Sequence, residues 1–512
     1  MSNQASGEGE LKRTLQTRHL NMIAIGGAIG TGLFFASGSA ISQSGPGGAL
    51  FAYAVMGLLV YFLMTSLGEM ATMLPISGSF EEYATRFVDP AFGFALGWNY
   101  WFSWSITVAA ELVAGGLIIK YFFPNGDIFG PYSGTAWAMI FLALLFGLNF
   151  MSARAYGEAE YWFAGIKVIT IIVFLIVGIL MILGIMGGEA PGFKNWTLLS
   201  EGKQAPFVGG IFAMLNVFLV AGFSFQGTEL VGLAAGESEN PEKDVPKAIN
   251  TVFWRILLFY VGAIIVIGFL IPFNDANLLQ GGITNVAASP FTLVFAKAGF
   301  GIAAGLMNAV ILTSVLSCGN SGLYAASRML YAMAMSGKAP KLFTYVSKSG
   351  VPIYALIATA LIASLAFFTS TIGEGKIYFI FYNASGLTGF FAWLGIAICH
   401  FRFRAAFTAQ GRKLEDLKYT AKWYPFGPVF AIILSIIVIF GANVWVFQND
   451  QSFLTNLFSF DGITNYGLIP IFLFMFFGYK FIKGTKLVPL KEADFSYNHE
   501  GHSHVDIDIH AK

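Results

Sequence analysis

Charge is scarce in this sequence. Asp, Glu, Lys and Arg make up 11% of the 512 residues and nearly cancel, to a net +1. Spread thinly over short polar stretches, they build no basic face for nucleic acid. Cysteine is scarcer: Cys318 and Cys399 are the two, both inside apolar runs. That pattern excludes a disulfide framework and a cysteine metal motif, and suits small core residues. An H-E-x-x-H pair and a G-x-S-x-G elbow are also missing, so an intramembrane enzyme is the weakest reading.

What is present is apolar. Hydrophobic residues reach 56%, with 53 Phe and 10 Trp, and the mean hydropathy is +0.68. Runs of about 20 apolar residues, the length that crosses a bilayer, recur along the chain. They predict an all-α polytopic membrane protein of about twelve spans. All the arginines, among them Arg18, Arg86, Arg154, Arg328 and Arg402, fall at or beside the same end of these spans. By the positive-inside bias that end is cytoplasmic and holds both termini. The N-terminus is polar and the first apolar run is as long as the others, so no cleavable signal peptide is expected. The expected home is a bacterial plasma membrane. The His-rich "NHEGHSHVDIDIHAK" reads as a solvated tail, with a metal site the lesser alternative.

Glycine, by contrast, is plentiful where a helix should not want it. "IGGAIGTGLF" puts Gly26, Gly27, Gly30 and Gly32 at the centre of span 1, although glycine is a poor helix former. Span 6, "VAGFSFQGTELVGLAAGESE", repeats the pattern with Gly222 and Gly227 beside Ser224, Gln226, Thr228 and Glu229. Two interrupted helices five spans apart indicate an inverted repeat, spans 1–5 and 6–10, with a site where the helices break and spans 11–12 peripheral. A break in lipid is tolerated only where it lines a cavity. There, free N–H groups suit a carboxylate and free carbonyls suit an ammonium, which together describe an α-amino acid. The alternative is that these glycines only allow helices to pack closely.

Three charges lie inside apolar runs: Glu111 in span 3, Lys167 in span 5 and Glu229 in span 6. Burying charge in a bilayer is costly, which favours function over accident. Asn308, Thr313, Ser314, Ser317, Asn320 and Ser321 in span 8 are milder, and such residues often serve as interhelical hydrogen-bonding groups.

"MIAIGGAIGTGLF", "LGEMATMLPISGSF", "GFSFQGTELVGLAAGESENPEKDVPKAI" and "NAVILTSVLSCGNSGLYAASRMLYAMA" resemble the amino-acid transporter family of the amino acid, polyamine and organocation superfamily, in colinear order from about Leu11 to Lys486. The resemblance implies a twelve-helix fold with a five-plus-five repeat and proton-coupled uptake, with the proton as coupling ion and no cofactor or metal. It implies a tail at 1–18, a transport core at 19–400 (19–188 and 206–400), a cytoplasmic loop at 401–425, two further spans at 426–484 and a tail at 485–512. By the same resemblance Gly30, Thr31 and Gly32 receive the substrate carboxylate, and carbonyls of Ala28, Phe223 and Gln226 take its amino group. Lys167 couples the proton, with Glu229 as a second coupling group. Glu111, Glu229 and Asn308 are candidates for the substrate side chain, with Glu111 preferred. "GEAEYWF" and "VFWRILLFY" are similar to stretches of lysine-carrying members, which implies L-lysine. Arginine, ornithine, GABA or aromatic amino acids remain alternatives, as does a lysine-sensing receptor acting on a membrane-bound regulator. Oligomeric state is left open.

Overall fold

The computed structural model describes residues 15–496, apart from Ala24, Ile25, Gly27, Ala28, Ser77, Pro124, Asp127, 279–288, Phe300 and 448–451. Both chain-end tails, including the His-rich segment, lie wholly or largely outside the described residues.

The chain is helical throughout. It opens with α1 (Thr17–Met22), then a π-type turn at Gly32–Ala36 that runs into α2 (Ser37–Met73), then the short α3 (Phe80–Phe87). Next come α4 (Pro90–Ile119), α5 (Ser133–Met151) and α6 (Ala153–Ile182), followed by α7 (Gly210–Phe225), α8 (Leu230–Ala234) and α9 (Pro241–Arg255). The middle holds α10 (Gly262–Leu270), α11 (Pro290–Lys297) and α12 (Gly301–Met335). The remainder is α13 (Ile353–Ala363), α14 (Thr369–Ile372), α15 (Glu374–Ala409), α16 (Phe426–Gly441), α17 (Phe453–Leu457), α18 (Phe460–Tyr466) and α19 (Leu468–Lys483). Strand structure among the described residues is one hairpin, Leu199–Ser200 paired with Lys203–Gln204.

Nine helices among the described residues are long and apolar enough to cross a membrane, or ten if α18 and α19, bent by 51°, count as one. Spans 1 and 2, expected as two helices joined by the polar loop "SQSGPGG", are two helices that follow one another within Gly32–Met73, the chain kinking between them without a long loop. The turn between them has shrunk to a single residue, Gly45, at φ 72° and ψ 171°. Proline follows at position 46, where the next helical segment begins and its missing N–H costs nothing.

Side-chain caps start the long helices. Asp89 accepts from the Ala91 amide ahead of α4, and Ser152 accepts from Ala155 ahead of α6. Helix α4 is the most enclosed, with 89% of its apolar window buried, against 28% for α6. Along α6 the buried residues include Gly157, Glu160, Ala164, Lys167, Ile171 and Phe174, one stripe of helical period, while Trp162 and Ile169 face outward.

Buried ion pairs tie the helices together. Arg404 pairs with Glu69 at 2.5 Å, Arg328 with Glu237 at 3.1 Å and Lys338 with Glu81 at 2.6 Å, all largely buried and each joining segments distant in sequence. Losing one partner of such a pair costs about 3–5 kcal/mol, because the other charge is left buried alone.

The Gly45 turn gives a direct test. A Cβ there would sit 2.5 Å from the Pro206 carbonyl oxygen, on a backbone that L residues avoid. Gly45→Ala should destabilise the protein by about 2 kcal/mol. Gly147→Ala, within α5 where a Cβ meets nothing within 4 Å, should instead stabilise it by about 0.5–1 kcal/mol. Thermal unfolding of both in detergent, side by side, reads the contrast.

Candidate functional site

The first helix of the bundle is interrupted. Helix α1 ends at Met22, Ile29 and Gly30 are non-helical, and helical geometry resumes from Thr31. Interruption frees a carbonyl on one side and an amide on the other, and neither can be left bare in an apolar setting. The Gly26 carbonyl accepts from the Ile29 amide at 3.0 Å and from Lys167 Nζ at 2.9 Å. The Thr31 amide and hydroxyl both donate to Glu111 Oε1, at 3.3 and 3.0 Å. The other oxygen, Glu111 Oε2, is buried with no hydrogen-bond partner among the described residues.

The glycines serve close approach here as well. A Cβ at Gly30 would lie 2.6 Å from Glu111 Oε1 and 2.8 Å from Cys318 Cβ, and one at Gly32 2.5 Å from the Ser224 Cα. Because Gly32 abuts backbone, that contact has no side chain that could yield. Ser224 Oγ donates to the Gly32 carbonyl at 2.7 Å and meets the Tyr53 hydroxyl at 2.8 Å, so the start of the second half of span 1 is tied to α7.

Span 6 breaks too. Helix α7 stops at Phe225, Gln226 turns to φ −55°, ψ 143°, Gly227 takes φ 91°, and α8 begins at Leu230. The Gly222 and Phe223 carbonyls both accept from the Gln226 amide, at 3.1 and 3.2 Å. The Gln226 side chain is locked onto Ser385 of α15, donating to its carbonyl at 2.7 Å and accepting from its hydroxyl at 3.0 Å. Glu229 is fully used: it accepts from the Gly227 amide at 3.1 Å, the Tyr100 hydroxyl at 3.2 Å and Trp393 Nε1 at 3.2 Å.

These contacts sort the residues singled out in the sequence. Gly30, Thr31, Gly32, Glu111 and Lys167 are brought to one break, with Ser224 beside them. Glu229 is not. Its partner Tyr100 stands eleven residues before Glu111 on α4, about 16 Å away along the helix. Asn308 is also elsewhere, ten residues before Cys318 on α12, accepting from Thr292 at 3.1 Å with Nδ2 unpaired. Ala28 lies outside the described residues.

Two groups were not anticipated. Glu160 is fully buried, 3.8 Å from Lys167 Nζ, and accepts from Ser317 at 2.8 Å. Its seven-residue spacing from Lys167, two turns of helix, was the available signal. Tyr378 and Tyr382 of α15 are the second: the Tyr382 hydroxyl is buried without a hydrogen-bond partner among the described residues, the buried Tyr378 hydroxyl faces Thr31, and both side chains line a cavity of about 990 Å³. Its walls include Gln43, Asn216, Glu374 and Asp461. Helix α15 begins in this cavity and runs on to Arg404 near its other end, so the cavity and Arg404 lie toward opposite ends of that helix. Tyr382 packs on Phe223 at 4.4 Å and Tyr378 stands beside Thr31 and Glu111, so these two tyrosines lie between the cavity and the breaks. Such a volume suits a small molecule. Among the described residues no cluster of His, Cys, Asp and Glu is arranged to hold a metal ion.

A sequence profile described as "Amino acid permease" matches residues 19–491. The lysine-specific permease LysP of Escherichia coli (strain K12) is 53% identical over 490 residues, covering 95% of this chain and 97% of that one. The protein of the same name from Lactococcus lactis subsp. cremoris (strain MG1363) is 50% identical over 501 residues, covering 97% and 95%. The histidine permease HisP of the same Lactococcus strain is also 50% identical, over 490 residues, 96% of this chain and 99% of that one.

The Thr31–Glu111 contact can be weighed by itself. Thr31→Val keeps the shape and removes the hydroxyl donor, so it should lower stability by about 1–2 kcal/mol in chemical or thermal unfolding. An unchanged midpoint would mean that the backbone amide alone satisfies Glu111.

Proposed function

The chain belongs to the amino acid permease family, and from that premise we propose that it imports L-lysine together with protons, by alternating access, across the bacterial plasma membrane. The observation that carries the substrate reading is Glu111. One carboxylate oxygen holds Thr31 while the other is buried and unpaired, beside Tyr378, a residue of the cavity wall. A buried unpaired carboxylate oxygen is a costly arrangement unless a donor arrives, and an ε-ammonium supplies three. The two lysine-specific relatives point the same way.

In this reading Thr31 and its neighbours Gly30 and Gly32 take the α-carboxylate. The carbonyls of Ala28, Phe223 and Gln226 take the α-amino group, and Glu111 takes the side chain. Lys167, on the Gly26 carbonyl, is the group through which a proton joins the first helix to α6. Glu229, engaged by Tyr100 and Trp393, belongs to gating or coupling at a second level. Twelve crossings follow if Gly45 divides Gly32–Met73 in two and if α16 and the bent α18–α19 pair each cross once. Residues 19–188 and 206–400 are then the inverted halves, 426–484 the additions, and both termini are cytoplasmic.

Histidine is the second reading, favoured by the histidine permease at 50% identity. Uptake of radiolabelled lysine into proteoliposomes with an inward proton gradient, with histidine, arginine, ornithine and phenylalanine as competitors, separates the two. Gradient-dependent lysine accumulation that resists all four is expected. Histidine accumulation with lysine as the weak competitor would replace the substrate, and lysine binding without accumulation would point to a receptor. Glu111→Gln should weaken lysine binding by roughly ten- to a hundredfold, the worth of a buried charged hydrogen bond. Equal affinity in that variant would remove Glu111 from the side-chain site.

A further inference from the structure

Helix α6 is the most lipid-facing of the long helices, yet it carries two fully buried charges. Lys167 Nζ lies 2.9 Å from the Gly26 carbonyl and 3.8 Å from Glu160 Oε1. It therefore donates its hydrogen bond to the first helix and keeps an ion pair with its own. Side chains on a helix lean toward its N-terminus, so Lys167 is aimed back along α6 in the direction of Glu160, two turns earlier. Both oxygens of Glu160 stand 2.8 Å from Ser317 Oγ, which fixes the carboxylate on α12.

The neighbours on the same stripe explain why this matters. A Cβ at Gly157 would meet Leu15 and His19, and one at Gly26 would meet Ala164 at 2.4 Å. The first segment of the chain thus lies flat along the stripe that holds Glu160 and Lys167. If that segment moves in alternating access, the Gly26 carbonyl moves with it and Lys167 loses its acceptor. The other ionisable groups facing Lys167 are Glu111, Arg255 and Cys318. Glu111 has one oxygen on Thr31 and, in the reading above, its other oxygen is taken by the substrate ammonium; Arg255 bonds Tyr260 at 2.8 Å, and Cys318 is a thiol. Glu160 is the carboxylate left within a short shift of the ammonium, on a helix that need not move.

We propose that Glu160 is a positioning residue for Lys167: it receives the ammonium when the first helix withdraws, so that Lys167 alternates between the Gly26 carbonyl and the Glu160 carboxylate. This rests on the coupling role given to Lys167 above. A buried ammonium with no acceptor would resist the movement, and a standing partner removes that resistance. The proton stays on Lys167 through the switch, and Ser317 keeps Glu160 in place.

The test compares wild type, Glu160→Gln, Glu160→Asp, Lys167→Ala and the Glu160→Gln/Lys167→Ala double variant in proteoliposomes. Two readouts are taken for lysine: accumulation driven by an inward proton gradient, and exchange between loaded sides without a gradient. Glu160→Gln should lose about tenfold in accumulation while retaining exchange, Glu160→Asp should keep part of the accumulation with a shifted pH profile, and the double variant should match Lys167→Ala. Accumulation by Glu160→Gln equal to wild type overturns the proposal. So does a further loss when Glu160→Gln is added to Lys167→Ala, since Glu160 would then act independently. If Lys167→Ala itself accumulates lysine normally, the coupling reading falls first and this inference with it. If Glu160→Gln does not yield folded protein, Glu160→Asp decides: an unchanged pH profile at full accumulation overturns the proposal.

Discussion

An interrupted helix inside a membrane has one carbonyl end and one amide end to satisfy, and this protein meets them with opposite charges. Lys167 donates to the Gly26 carbonyl and Glu111 accepts from Thr31. The arrangement follows the peptide dipole: cations belong at carbonyl ends and anions at amide ends. The rest of the site hangs on this pairing. It explains why α4 and α6 press against the first helix, why Gly30 and Gly26 carry no side chain, and why Cys318, the residue against Gly30, is small.

Much of this was visible in the sequence, because it is written in anomalies. Charges in apolar runs marked Glu111, Lys167 and Glu229, and glycines in the same runs marked both breaks. Glu160 has no such contrast. It sits in "ARAYGEAEYWF", near the polar end of its span, where a carboxylate is ordinary until the helix is given a neighbour. Tyr378 and Tyr382 were hidden by abundance, being two among 20 tyrosines. Asn308 shows the opposite limit: run length gives no helical level, and the polar side chain of span 8 that reaches Glu160 is Ser317, nine residues on. The polar stretch before span 2 does turn the chain, and Gly45 at φ 72° does so in a single residue where a loop is expected.

The two carboxylates first noticed together, Glu111 and Glu229, have different surroundings and for that reason different chemistry. Glu229 has its oxygens met by an amide, a phenol and an indole, three donors that hold it in place. Glu111 is only half met. A carboxylate met by three donors is tied to the helices that supply them, and a half-met one can accept something that comes and goes.

Helix α4 touches both breaks, through Tyr100 to one and through Glu111 to the other. Eleven residues make close to three turns, so the two side chains leave the helix on nearly the same face. That stretch is a gauge bar: its length sets the separation of the two contacts and its winding sets their bearing. Adding or deleting one residue within it would swing one end by about 100° relative to the other, while a loop absorbs the same change without effect. Along this stretch the chain can be rewritten letter by letter, but its spelling length is fixed.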